Sequence, residues 1–272
     1  MQPLFKILYA RIGLLLRYLK YIIFARHYLG HGLHSPFIYH FANSILFARK
    51  EEKKYKIIFD YISQLLQNKS FIEPYDLGAG SSIAFSKTRR INKIVKSSST
   101  RKKYGKVLAR IVYHYNPGNI IELGTSLGIG TCFLAINLKS TGKLYTIEGD
   151  ESLYRIAQDN LTRYFSNNVI AINGNFDDIL NGLLQRIESL DMVFFDGNHR
   201  KEPTISYFEL CLKKSSDNSI FIFDDIHWSE EMEEAWEYIK SHPKTKVSID
   251  LFQFGIVFFR KELSCEHYLI RY

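Results

Sequence analysis

The 272-residue chain has only three cysteines, Cys132, Cys211 and Cys265. They are odd in number, widely spaced and include no C-x-x-C pair. That excludes a disulfide framework and a cysteine-rich zinc site, and it suits a reducing, cytoplasmic compartment. Long uninterrupted apolar runs are also missing. Leu4 to Phe24 is apolar, but Lys6, Arg11, Arg17 and Lys20 are spread through it. Such a run is neither a membrane-spanning helix nor the core of a signal peptide. Acid is scarce at one end: residues 1–110 hold 21 Lys+Arg against 5 Asp+Glu, a net +16. Residues 111–272 hold 15 against 23, a net −8. A mostly disordered chain is excluded, because 46% of the residues are hydrophobic.

The charge break coincides with a change of pattern. Residues 1–116 read as a mainly helical, basic region. Ser35-Pro36 is a helix start. A helix is expected over Glu51–Gln67. Tyr104, Val107, Leu108, Ile111, Val112 and Tyr115 recur at helical spacing until Asn116-Pro117-Gly118 stops them. Residues 117–272 alternate instead. Strands are predicted at 119–123, 143–148, 169–172, 192–195 and 220–223, with helices between them. A hairpin, 247–252 with 256–260, turns at Gly255. The expected fold is α/β: a doubly wound, mostly parallel, seven-stranded Rossmann-like sheet with an antiparallel terminal hairpin.

Two glycine-bearing stretches stand out, Tyr75 to Ser81 and Ile121 to Thr131. A nucleotide-type loop needs a buried strand before it, a helix after it and an acid at the end of the next strand. Only the second stretch meets all three, with Glu148 ending the next strand 24 residues after Gly124. Gly78 and Gly80 in the first read as a turn. The glycine spacing is not the dinucleotide G-x-G-x-x-G, and Glu122 precedes the first glycine. A carboxylate there repels a pyrophosphate. It suits a phosphate-free, positively charged ligand such as S-adenosylmethionine.

With Glu-Leu-Gly-Thr-Ser-Leu-Gly on the page, the chain resembles the class I S-adenosylmethionine-dependent methyltransferases. The match runs from about Ile120 to Arg260. Within that class it looks most like the small O-methyltransferases of the catechol and macrolide-sugar types. The resemblance implies that Glu122, Gly124, Thr125, Ser126 and Gly128 hold the cofactor's methionine part. It also implies that Glu148 binds the ribose and that Asn175 and Phe176 hold the adenine. Asp196, in Phe194-Phe195-Asp196-Gly197-Asn198-His199, falls on a later motif that contributes to the cofactor site and to catalysis. In catechol-type relatives a divalent metal is held by an Asp there and by an Asp-Asn pair after the fifth strand. Here Asp224-Asp225 is the pair and departs from that pattern. Those relatives have a Lys as base three residues after the first Asp; here it is His199. Asp196, Asp224 and Asp225 offer only oxygen, which suits Mg²⁺ or Ca²⁺. Such a metal would acidify an acceptor hydroxyl, and His199 would take its proton near neutral pH. His227 and Trp228 are candidates to line the acceptor pocket, while Trp236 lies on an apolar helix face.

The expected activity is O-methylation of a small-molecule hydroxyl. The alternatives are methylation of nucleic acid or another macromolecule, and a non-catalytic S-adenosylmethionine-binding module. No Asn/Asp-Pro-Pro-Tyr/Phe motif occurs, which counts against methylation of base amino groups. Lys87–Arg110 has ten basic residues and no acid, a footprint that fits phosphates or a solvated face. A face balancing the acidic region is the cheaper account, so nucleic acid is disfavoured. The N-terminal helix fits two surroundings. One is the rest of the protein or a second subunit in a homo-oligomer. The other is an anionic membrane surface, at the cytoplasmic side. The histidines at 27, 31 and 34 share helical spacing, but Gly30 and Gly32 interrupt it, and no metal site is expected there.

Overall fold

The computed structural model describes residues 2–25, 27, 32–48, 52–73, 88–165 and 167–272. The first glycine stretch, with Gly78 and Gly80, lies outside them, as do Gly30, His31 and Lys87. In chain order the elements are α1 (Gln2–Phe24), α2 (Pro36–Phe41), α3 (Lys56–Gln67), β1 (Phe71–Ile72), β2 (Arg89–Arg90), α4 (Ile91–Ser98) and α5 (Lys102–Tyr115). The alternating part follows: β3 (Asn119–Leu123), α6 (Ile129–Ala135), β4 (Lys143–Glu148), α7 (Glu151–Phe165), β5 (Val169–Asn173), α8 (Phe176–Arg186), β6 (Leu190–Phe195) and α9 (Lys201–Leu212). The chain ends with β7 (Ser215–Phe223), α10 (Glu230–Ser241), β8 (Val247–Asp250), β9 (Gly255–Phe258) and β10 (Glu266–Leu269).

Local chemistry sets these boundaries. Asn116 takes a left-handed conformation at the end of α5 (φ 48°), and Pro117 cannot continue the helix. The Ser229 hydroxyl accepts from the Met232 N–H and caps α10, with Glu230, Glu231 and Glu233 in the first turn, where the helix dipole favours acid. The helix expected from Glu51 starts instead as a short 3-10 turn, Glu52–Tyr55.

The main sheet has eight strands among the described residues, and they fall in two compact units. One unit comprises Ala48–Gly80 and Ala84–Glu188. It holds β3, β4 and β5, all parallel, with Leu123 opposite Ile147 and Glu148 opposite Asn173. The other comprises Met1–Phe47, Ser81–Ile83 and Ser189–Tyr272. There β6 and β7 run parallel, β9 is antiparallel to both β7 and β8, and β10 runs parallel to β8. The compact units therefore interleave along the chain, while the change of local pattern sits at residues 116–117.

Two expectations need correction. The seven strands become eight, because β10 is an additional one. Its Glu-His-Tyr-Leu is short and only half-buried, as befits a sheet edge, so it has no apolar run to announce it. Gly255 is not the hairpin's turn but the first residue of β9. A Cβ there would lie 2.6 Å from the Trp236 ring, so the glycine lets the strand approach that buried indole.

Candidate functional site

The first candidate region is the loop after β3. Parallel register puts Glu122 opposite Thr146, so both side chains emerge on one face. The Thr146 hydroxyl donates to Glu122 Oε2 at 2.6 Å, and the Thr131 hydroxyl donates to the same oxygen at 2.5 Å. The other oxygen, Oε1, is buried and has no partner. Burial pushes the Glu122 carboxyl up to about 7; the two threonine hydroxyls oppose the rise and the nearby Glu148 adds to it. An unpaired carboxylate oxygen in such surroundings is costly until a cationic donor meets it.

Glu148 is held differently. Its Oε2 accepts from the Ser126 N–H at 2.7 Å and its Oε1 from the Asp150 N–H at 2.9 Å. Burial raises its pKa, and backbone N–H donors at Asp150, Ser126 and Gly149 pull it back. With three N–H donors on it, the carboxylate keeps a lone pair for a further donor. Asp150 in turn accepts from the Leu153 N–H and caps α7.

Four of the loop's own N–H groups are turned inward. Gly124 and Thr125 both donate to the Ile147 carbonyl, Ser126 donates to Glu148, and Gly128 donates to the Thr125 carbonyl. A phosphate-binding loop needs such groups free. This one uses them to shape itself and presents carboxylates instead. Gly124 (φ 106°), Ser126 (φ 49°) and Gly128 (φ 76°) all take left-handed conformations. A Cβ on Gly128 would also touch Ala157 at 3.5 Å. Thr125 is buried with its hydroxyl against Thr146, so it braces the Glu122 cradle from behind. Asn175 caps α8 by accepting from the Asp177 N–H, and Phe176 opens that helix half-buried.

The second region is the end of β6 and β7. Phe195 pairs with Phe223 and their rings stack 4.3 Å apart, so Asp196 and Asp224 follow at the same level. Asp224 is buried and hydrogen-bonded to the side chains of Asp196 and Gln253. Burial first, then the Asp225 charge, pushes its carboxyl up to about 8. Asp224 also accepts from the Asp225 N–H at 2.9 Å, and Asp225 sits in the left-handed region (φ 53°). His199 Nε2 lies 3.9 Å from Asp196 Oδ1, with both side chains mostly buried.

The donor set that Asp196, Asp224 and Asp225 offer here is all oxygen. No group of three or more His, Cys, Asp or Glu among the described residues is arranged to hold a metal ion.

His227 is held on both sides of its ring. Its Nδ1 is 2.8 Å from Glu233 and its Nε2 2.8 Å from Asp250, and the ring stacks on Phe252. Burial opposes its charge, but the two carboxylates outweigh that and raise its pKa. It pins loop, helix and strand together. Trp236 is core, as expected, and Trp228 is exposed. In the basic stretch, α5 buries Val107, Leu108, Ile111 and Val112 completely, while Arg101, Lys102 and Lys103 stay exposed.

Sequence reasoning missed Thr131, Thr146 and Asp150. Aligning 119–123 with 143–147 from their first residues would have paired Glu122 with Thr146. Asp150, three residues before Leu153, carries an ordinary N-cap signal.

Comparison with known proteins points to the same fold. Residues 121–226 match a family model described as a methyltransferase domain. Over 124 residues the chain is 32% identical to a catechol O-methyltransferase of Niastella koreensis, covering 45% of this chain and 55% of the relative. The chain thus spans about half the length of that curated relative. An O-methyltransferase from Bacillus cereus, solved with SAH, superimposes with a TM-score of 0.55 at 20% identity, covering 78% of this chain and 93% of that one. The O-methyltransferase TomG from Streptomyces achromogenes, involved in tomaymycin synthesis and solved with SAM, gives 0.52 at 22% identity, covering 60% and 82%. These two structural likenesses establish the fold. With the family model and the curated relative, they make the chain's resemblance to the class I S-adenosylmethionine-dependent O-methyltransferases a finding.

Proposed function

We propose that the chain transfers a methyl group from S-adenosylmethionine to a hydroxyl oxygen of a small molecule, with residues 117–272 as the catalytic domain. The observation that carries this reading is the unpartnered, buried Oε1 of Glu122 beside a loop in which the Gly124, Thr125, Ser126 and Gly128 N–H groups are already used. That combination favours a cationic, phosphate-free ligand over a dinucleotide. S-adenosylmethionine, when bound, supplies an electrophilic methyl on a positively charged sulfur.

The chain's own residues divide the remaining work. Glu122 accepts from the ligand's cationic end through Oε1. Gly124 and Gly128 keep the backbone free of side chains where the ligand passes. Glu148 accepts a ribose hydroxyl on the lone pair left by the Ser126, Asp150 and Gly149 N–H groups. Asn175 and Phe176 bracket the base. His199 takes the proton of the acceptor hydroxyl, and Asp196 stabilises the imidazolium that forms. Asp224 and Asp225 orient the acceptor by hydrogen bonds. No step is assigned to a metal. The free thiols of Cys132, Cys211 and Cys265 fit work in a reducing, cytoplasmic setting.

The test is transfer of labelled methyl to a panel of phenolic, catechol and sugar hydroxyls by the full chain, with and without chelator. Labelled product on oxygen, lost in His199→Ala, is expected. Retained turnover in chelator would leave the three aspartates acting without a metal. Cofactor binding without transfer to any hydroxyl would sink the catalytic reading in favour of a binding module.

A further inference from the structure

α1 is mounted on its unit by its less apolar side. The Tyr21 hydroxyl donates to the Ile270 carbonyl at 2.5 Å and accepts from the Tyr272 N–H at 3.0 Å. Arg17 pairs with Glu233 at 3.0 Å, and Tyr18 and Tyr21 pack on the Phe252 ring. These contacts use one side of the helix. On the other side Ile12, Leu15, Leu16, Leu19 and Ile23 are all exposed, Leu16 by 60% and Ile23 by 74%. At about 100° per residue, those five fall within an arc of about 100°. Arg11 borders the arc on one edge and Lys20 on the other. Both are exposed, and neither forms an ion pair among the described residues.

We infer that α1 is an interfacial helix that docks the protein on an anionic lipid surface, with Ile12, Leu15, Leu16, Leu19 and Ile23 entering the acyl boundary. Arg11 and Lys20 then reach lipid headgroups from either side of the stripe. Long basic side chains at the two edges of an apolar arc are placed to bury their stems and keep their charges at the headgroup level. The charge pattern selects lipid over a second copy of the chain. α1 contains Lys6, Arg11, Arg17 and Lys20 and no acid. Self-pairing through this stripe would bring like charges together with nothing on the helix to neutralise them. An anionic surface supplies that countercharge. The helix lies on the surface and does not cross it, since no helix among the described residues is long and apolar enough to span a membrane.

The test is co-sedimentation of the full chain with vesicles of phosphatidylcholine alone and of phosphatidylcholine with phosphatidylserine. Binding to the anionic vesicles, weakening as salt rises, is expected. The double variant Leu15→Glu with Leu19→Glu removes it at least tenfold. Arg11→Gln with Lys20→Gln lowers it roughly tenfold. These side chains are exposed, so circular dichroism and melting temperature should match the unsubstituted chain. Three results would overturn the inference. One is no binding to anionic vesicles. Another is undiminished binding in the leucine variant. The third is a dimer, seen by sedimentation velocity, that the leucine variant dissociates while vesicles bind neither form.

Discussion

Two sets of carboxylates in this chain are built on opposite plans. Glu122 and Glu148 are held by groups that are not acids: threonine hydroxyls for one, backbone N–H groups for the other. Their positions are set before any ligand arrives. Asp196, Asp224 and Asp225 lean on one another, with Asp224 bonded to Asp196 and to the Asp225 N–H. A set that supports itself must exchange those contacts when a partner binds. A preorganised set discriminates at binding, whereas a self-supported one is free to act at a later step.

The first way to break this comparison is His199→Ala. Turnover should fall by about 100-fold or more while cofactor affinity changes less than about twofold, since one general base is worth that order. Parallel steady-state kinetics and calorimetry check it. Equal losses in both would merge the two regions into one.

Glu122→Gln should show the cost of the unpaired oxygen. The folded-state value of about 7 lies above the reference 4.5. Stability from this group is therefore complete below about 4.5 and is lost as pH rises towards and past 7. Glutamine removes that loss. The variant should melt higher than the parent by a margin that grows from pH 5 to pH 8, with a ceiling on the order of 3 kcal/mol. A constant margin across that range would contradict the assignment.

Glu148→Ala should weaken S-adenosylmethionine binding about tenfold or more, roughly 1.4 kcal/mol, by removing the acceptor that Ser126 and Asp150 aim. Titration at fixed pH reads it directly.

The smallest effect concerns the backbone. Asp225→Gly should relieve a left-handed non-glycine conformation, and the gain is partly offset by greater freedom of the unfolded chain. The net stabilisation should stay within about 1 kcal/mol by thermal melting. A clear destabilisation would mean that the Asp225 side chain supports the cluster more than its contacts indicate.

His227 gives a counterpoint on the aspartate side. Its raised pKa means that its stabilising charge is present below the ordinary histidine range and is lost as pH rises through the folded value. His227→Gln should therefore flatten the stability profile above neutral pH, as read by melts at several pH values.

These two plans also mark what could be read in the sequence. The loop from Gly124 to Gly128 was legible because strand, glycines and helix are consecutive, and Glu148 because a strand end is a local signal. The Glu122 cradle was less so: Thr146 joins it only through the register of β3 against β4. The Asp196–Asp224 bond depends on two strands ending at one level, which no local pattern encodes. The side on which α1 docks was hidden for a similar reason. Tyr21 finds Ile270, 249 residues away, and the apolar run alone left the rest of the protein, a second subunit and a membrane surface all open. The clamp on His227 was not legible, because the second of its two carboxylate partners, Asp250, lies beyond the helix that follows it.

The most direct test of the central claim is calorimetric titration of S-adenosylmethionine into the full chain between pH 5.5 and 8. One site is predicted, with an affinity on the order of micromolar at pH 8. It should weaken as pH falls below about 7 and lose that dependence in Glu122→Gln. No binding at millimolar ligand, or a pH dependence that survives Glu122→Gln, would contradict the account.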